Sequence, residues 1–353
     1  MTIPRIAWIG AGNMAQRAHL RTYAQLASET SCQLVGLLDT RRGLAHQVAD
    51  RYRIDRIYTD IEELLADVPR NIDGICAILP YRQHQYVLPQ LLSMGLPLFT
   101  EKPLALSVSA GEQLLAIGQS HQTVHMLGYH KRSDASIRHA KALIGQWQES
   151  NQYGDLNYIR VTMPPGDWVF GSEQPLIGSE RIAYEAQDTP TDVEDVSAYD
   201  AFVNYYIHQV NLIRFLLDEP YHVAFGDRRG ILLCGESQSG VSIVLEMAPF
   251  RLAQGWWEQV LVGFERGFIE VRLPAPLATF PGQLRVVVEE RGQVTETQPI
   301  LPPVSAMRQQ AVSFLNVIQG VEDPPCDAVE ALEDLRIATA WFQLREALEQ
   351  NLS

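Results

Sequence analysis

Cysteine is scarce, with four thiols in 353 residues. Cys32, Cys76, Cys234 and Cys326 form no Cys-x-x-Cys pair and no Cys/His cluster, so neither a disulfide framework nor a metal site is expected. Positive charge is also in deficit. Lys and Arg total 28 against 42 Asp and Glu, a net charge of −14, and no segment gathers the basic residues into a stripe. Nucleic-acid binders need such a stripe, so no nucleic-acid partner is expected. No apolar run approaches the roughly 20 residues of a membrane span. The opening Met1-Thr2-Ile3-Pro4-Arg5 has neither an apolar leader core nor a cleavage site. The expectation is a cytoplasmic protein without a membrane partner, its thiols buried and reduced.

What is present is 46% hydrophobic and 20% charged residues, the balance of a globular protein. The length exceeds one ordinary core and suits two domains. Arg5 to Ile9 reads as a buried strand, followed at once by Gly10-Ala11-Gly12-Asn13-Met14-Ala15 and a helical pattern through Leu26. This is GxGxxA between a strand and a helix, the context that a dinucleotide fingerprint requires. Gly10 permits the tight turn, Gly12 lets backbone approach a pyrophosphate at the helix start, and Ala15 allows close packing. The next strand, Gln33 to Leu38, ends in Asp39, where a carboxylate can bind adenosine ribose hydroxyls and repel a 2′-phosphate. That favours NAD. Arg41 and Arg42 blunt the inference, since either can cover the adenine, pair with a 2′-phosphate, or merely be solvated. The cofactor is therefore NAD(P), with NAD favoured.

Helices over Leu44 to Tyr52, Ile61 to Ala66 (capped by Asp60) and Tyr86 to Met94 alternate with strands at Ile57 to Thr59, Ile72 to Pro80 and Leu96 to Thr100. That alternation implies a doubly wound parallel sheet. The loop from Leu79 and Pro80 to His84 then lies beside the nicotinamide end of a dinucleotide, where His84 either touches the cofactor or caps a helix. The last strand delivers Glu101-Lys102-Pro103. Proline biases Lys102 away from helical dihedrals, and the carboxyl edge of a parallel sheet is where such folds bind ligands. On the tripeptide alone, a solvated ion pair closing a strand is the plainer reading; the upstream fingerprint reverses it.

These residues carry a resemblance. The set Gly10, Gly12, Ala15, Asp39, Leu79-Pro80 with His84, and Glu101-Lys102-Pro103 resembles the glucose-fructose oxidoreductase, inositol dehydrogenase and MocA family. The resemblance implies an α/β protein: a Rossmann domain, placed at 1–123, and a second α/β domain with a large open, mostly antiparallel sheet, placed at 124–353. It also implies a homo-oligomer joined through that second sheet. Tyr129 and Lys131-Arg132 follow the strand that leaves the Rossmann domain, where the family carries an arginine. Residues 164–198 break the pattern and read as either disordered or a lid over the pocket, with Trp168 and Phe170 favouring the lid.

Tyr199 to Leu217 reads as one helix that places Asn204, His208 and Asn211 on a single face. The family helix is patterned Asp-x-Gly-x-His-x-x-Asp, and this sequence matches it at His208 alone. An asparagine amide orients a hydroxyl but does not accept its proton. The resemblance therefore leaves proton transfer to His208, with Lys102 holding the oxygen, and Asn204, Asn211, Tyr129, Arg132 and Tyr205 as substrate contacts. Asn13, Met14 and Glu101 complete the cofactor set. The implied activity is hydride transfer between nicotinamide and a hydroxyl or carbonyl of a sugar, cyclitol or related small molecule. The rival reading is a dinucleotide-binding sensor that has lost turnover, supported by Asn204 in place of the acid. Strand-like runs from His222 to Glu290 and helices over Ala306 to Gln319 and Asp327 to Glu349 complete the chain.

Overall fold

A computed structural model describes residues 2–171, 175–178, 193–248 and 250–350. They fall into two units. The first contains the described residues of 2–129 and 307–333 together with 175–178; the second contains those of 130–171, 193–306 and 334–350.

In the first unit the strands are β1 (Arg5–Ile9), β2 (Gln33–Leu38), β3 (Gly74–Ala77), β4 (Leu98–Thr100) and β5 (His125–Leu127). They pair in the order β2-β1-β3-β4-β5, all parallel. The order reverses between β1 and β3, so a crevice opens at their carboxyl ends. The helices are α1 (Arg21–Ser28), α2 (Arg42–Tyr52), α3 (Ile61–Asn71), α4 (His84–Leu92), α5 (Val108–Ser120) and α9 (Ala306–Ile318). Asp60 caps α3 as expected, its side chain accepting the Glu63 amide at 2.8 Å. Burying Trp8, Tyr23, Phe99 and Phe314 in one cluster fixes α1 and α9 on one face of the sheet.

The domain boundary differs from the sequence reading. His125–Leu127 bonds to β4 as the last strand of the first sheet, so the division falls at 129/130 rather than 123/124. Residues 307–333 also return to the first unit. No sequence period signals that return, because an amphipathic helix suits either sheet. The strand expected over 72–80 shortens to Gly74–Ala77.

The second unit has eight strands: β6 (Leu156–Thr162), β7 (Tyr221–Gly226), β8 (Leu232–Ser237), β9 (Ser242–Glu246), β10 (Glu258–Phe264), β11 (Gly267–Leu273), β12 (Gln283–Glu290) and β13 (Gln293–Thr297). Their order is β13-β12-β11-β10-β6-β9-β8-β7, antiparallel except for β6 with β9. Strand β13 was not expected, because Gln293-Val294-Thr295-Glu296-Thr297 is exposed throughout and pairs on one side. One sheet face buries Ile159, Val262 and Ile269 against α6 (Ala135–Ser150) and α8 (Ile207–Leu217). The other carries Tyr158, Leu261, Phe268 and Val287, each half-buried. Helix α10 (Ala328–Gln350) contributes residues to both units.

The helix expected over Tyr199 to Leu217 is two: α7 (Val196–Tyr205) and α8, broken at Tyr206. Two neighbouring tyrosines are pinned in different directions there. Tyr205 Oη accepts the Gly166 amide at 3.0 Å, and Tyr206 Oη donates to the Met247 carbonyl at 2.7 Å. Their rings stand at 81°, and Tyr206 sits at φ −95° and ψ −7°. Of the irregular stretch expected at 164–198, residues 172–174 and 179–192 lie outside the described residues, and its end from Val196 is helical.

Candidate active site

The crevice at the switch point is lined by the glycine turn. Gly10 has φ +92°, and a Cβ there would stand 2.3 Å from the Ile78 carbonyl oxygen, so glycine is required twice over. A Cβ on Gly12 would meet nothing nearer than Arg41 Nη2 at 3.9 Å. The backbone is therefore open at Gly12, just before a helix whose first amides have no intrahelical acceptor. This fits a pyrophosphate. A π-helical turn, Ala15–Leu20, leads into α1. Its Gln16 Nε2 donates to the Ala11 carbonyl at 2.8 Å and to the Ile177 carbonyl at 3.0 Å, while Gln16 Oε1 accepts the Ile177 amide at 2.9 Å. Residues 175–178 are thus tied to the first unit beside the glycine turn, which a loose cover over a pocket would not require. Asn13 is exposed and accepts from Arg17, Met14 packs on the core, and the Leu79 side chain lies against Gly10, with Pro80 following it in the loop.

Asp39 and Arg41 meet at the rim. Asp39 Oδ2 accepts the Ala11 amide at 2.7 Å and Arg41 Nη2 at 2.9 Å, while Oδ1 accepts Arg41 N and Nε, each at 2.9 Å. Burial pushes this carboxyl upward, but the Arg41 and Ala11 hydrogen bonds outweigh it and hold Asp39 below the usual carboxylate range. The acid thus braces the glycine turn and is covered by Arg41, an arrangement the sequence reading did not foresee.

Lys102 follows β4 and is half-buried; its peptide to Pro103 is cis. Glu101 turns inward: Oε1 pairs with His19 Nε2 at 2.7 Å, and Oε2 accepts the Lys102 amide at 3.2 Å. Its carboxylate lies against Gly128, where a Cβ would come within 3.0 Å. Glu101 therefore fixes the backbone that carries Lys102, and its own contacts are with protein. His84 is fully buried and, rather than capping α4, its Nδ1 donates to the Leu104 carbonyl at 3.0 Å. It tethers the loop just after Lys102, and its Nε2 has no partner among the described residues.

Burial pulls His84 down to about 4, and His125, beneath it on Thr100, down to about 3. The folded state thus takes up a proton on His84 later than an unfolded chain, whose histidine titrates near 6.5. Its contribution is complete above pH 6.5 and is lost as pH falls toward 4, amounting to roughly 3 kcal/mol. His84→Gln is expected to flatten the decline of unfolding free energy between pH 6.5 and 4.5, measured by urea denaturation at stepped pH.

In the second unit the predicted residues separate. Asn204 and Tyr205 line a cavity of about 760 Å³; His208 does not line it. His208 is half-buried, with the His130 ring edge-on at 4.7 Å. Asn211 is buried: its Oδ1 accepts Arg132 Nε at 2.7 Å, and its Nδ2 donates to Asp334 at 2.7 Å. Asp334 also accepts Arg214 Nη1 at 3.0 Å. Burial raises the Asp334 carboxyl, against the pull of Arg214 and Arg132. Asn211 and Arg132, expected at the substrate, are thus joined in an interior network, and the break at Tyr206 separates Asn204 in α7 from His208 and Asn211 in α8. Beside that network, Lys131 Nζ and Glu258 form a buried pair at 2.6 Å that also engages Gln209. Tyr129 is likewise buried in the first unit. Sequence reasoning missed His19, Gln16 and His130. Proximity of His130 to the Lys131-Arg132 signal was the only available hint; nothing local links His19 to a residue 82 positions away. Among the described residues no group of three His, Cys, Asp or Glu side chains is placed to hold a metal, and no helix is long and apolar enough to cross a membrane.

An open glycine turn at the switch point of a parallel sheet, rimmed by an acid at the end of its second strand, defines a dinucleotide-binding Rossmann domain. Residues 4–129 match the model of the oxidoreductase family with an NAD-binding Rossmann fold, the glucose-fructose oxidoreductase, inositol dehydrogenase and MocA family. The chain is 23% identical over 222 residues to the inositol 2-dehydrogenase of Agrobacterium fabrum, covering 63% of this chain and 56% of that one. It is 25% identical over 128 residues to the D-glucoside 3-dehydrogenase of Escherichia coli, covering 36% and 35% respectively. The matches thus span about a third to just over half of these relatives' lengths. A crystal structure from Desulfitobacterium hafniense shares the fold with a TM-score of 0.78 at 16% identity, over 99% of this chain and 97% of that one.

Proposed function

We propose that the protein is an NAD(P)-dependent oxidoreductase transferring hydride between nicotinamide C4 and a hydroxyl or carbonyl carbon of a sugar, cyclitol or related polar molecule. The observation that carries this reading is the uncovered backbone at Gly12 in a switch-point crevice, with Lys102 delivered at the carboxyl end of β4 in the same unit. When bound, the nicotinamide supplies a hydride donor or acceptor. Lys102 holds the substrate oxygen by its charge, on a backbone fixed by Glu101 and His84. The second unit offers an imidazole, His208, with the His130 ring edge-on to it. Asn204 offers an amide for orientation. Because Arg41 covers Asp39, the rim presents a cation to the ribose, and both NAD and NADP suit it. The half-buried sheet face bearing Tyr158, Leu261 and Phe268 supports a homo-oligomer joined there.

The test is fluorescence of NADH and NADPH mixed with the protein, followed by addition of carbonyl sugars and ketocyclitols. Enhanced fluorescence that then decays with one of these compounds is the expected result. Binding without oxidation by any of them favours the sensor, and absence of binding to either nucleotide ends both readings.

A further inference from the structure

The cavity of about 760 Å³ in the second unit has an unusual charge for this chain. The protein as a whole carries −14, yet among the described residues the cavity lining holds Arg229, Arg251 and Arg345 against one acid, Asp167. The arginines differ in how they are held. Arg345 is built in: Nε donates to the Asp227 carbonyl at 3.2 Å and Nη2 to the Arg228 carbonyl at 3.1 Å, while the guanidinium stacks 4.7 Å over Trp341. It is a fixed cation backed by an aromatic ring, which costs little further ordering when a ligand arrives. Arg229 and Arg251 are exposed and form no ion pair among the described residues. They are free to turn toward an anion. The rest of the lining mixes aliphatic side chains with aromatic ones, among them Trp168 and Tyr205, the latter fixed by its hydroxyl on Gly166; an aromatic ring is a surface on which the C–H face of a sugar packs. Asn204 adds an amide donor and acceptor on the same wall.

We infer that this cavity binds a sugar or polyol bearing an oxyanion, a carboxylate or a phosphate ester. Arg251 and Arg229 take the anionic group, Arg345 sets the potential of the cavity, and Trp168 and Tyr205 take the ring.

Titration calorimetry on the full chain without nucleotide tests this, with D-glucuronate, D-glucose 6-phosphate and neutral D-glucose as probes. Saturable binding of one of the two anions is expected, with D-glucose at least about tenfold weaker, the worth of one charge-assisted hydrogen bond. The preferred anion distinguishes carboxylate from phosphate recognition. Arg251→Gln is expected to weaken that anion about tenfold, and Arg229→Gln with Arg251→Gln more, with unchanged thermal unfolding because both side chains are exposed. Equal binding of D-glucose, binding of neither anion, or no response to the double substitution overturns the inference. Arginine-dependent anion binding in a protein that never oxidises or reduces nicotinamide leaves the cavity assignment standing and sinks the redox reading instead. Hydride transfer to neutral sugars with no anion binding does the reverse.

Discussion

Lys102→Ala is expected to lower kcat with the best substrate by about 10³-fold, roughly 4 kcal/mol of transition-state stabilisation, while leaving the dissociation constant for NADH nearly unchanged. The two effects separate because Lys102 stands at the end of β4, whereas the pyrophosphate cradle is built by Gly10 and Gly12 at the end of β1. The loss is large because an ammonium in a partly buried site acts on charge that develops on the substrate oxygen, and water replaces it poorly. Lys102→Arg keeps the charge but not its compact geometry, so it is expected to recover no more than a small part of the rate. Stopped-flow measurement of hydride transfer, with NADH fluorescence for binding, checks both halves. A rate within a few-fold of the parent protein removes Lys102 from the chemistry.

The second large effect is at the turn. Gly10→Ala places a methyl 2.3 Å from the Ile78 carbonyl at a residue with φ +92°. The left-handed conformation costs a non-glycine residue roughly 1–2 kcal/mol, and the overlap adds roughly 1–3 kcal/mol because a strand-end carbonyl cannot step aside as a flexible side chain would. The expected outcome is about 3 kcal/mol of lost stability together with NADH binding weakened more than tenfold, since the displaced loop is the cradle itself. Gly43→Ala is the matched control. Gly43 lies in α2 with nothing within 4 Å of its Cβ position, so the change is expected to be neutral or slightly stabilising. Chemical denaturation and nucleotide fluorescence on the two variants measure the difference. Equal behaviour of the two would show that the turn at Gly10 is not under this constraint.

Much of the first unit was legible because its signals are local. The strand ending in Gly10-Ala11-Gly12, the acid closing β2 and the Glu-Lys-Pro element each specify a conformation within a few residues. The roles of several of those residues were not legible. Asp39, read as a ribose ligand, also braces the Ala11 amide and pairs with Arg41. Glu101, read as a cofactor residue, also pairs with His19 and accepts the Lys102 amide. In the second unit, a spacing of four and seven residues implied one face only if the helix continued, and the hydroxyl contacts of Tyr205 and Tyr206 with Gly166 and Met247 decided that it would not.

The first strand with its glycine turn, the strand ending at Asp39 and the lysine after β4 follow from sequence alone, because turn geometry and alternating burial are short-range properties of the chain. The Asn211–Asp334 contact across 123 positions, the Lys131–Glu258 pair across 127, and the gathering of Arg229, Arg251 and Arg345 around one cavity are products of tertiary structure. A side chain carries its charge and hydrogen-bonding capacity wherever it is placed. Which partner satisfies that capacity is decided when the sheets form and bring distant segments together, and no local pattern records it.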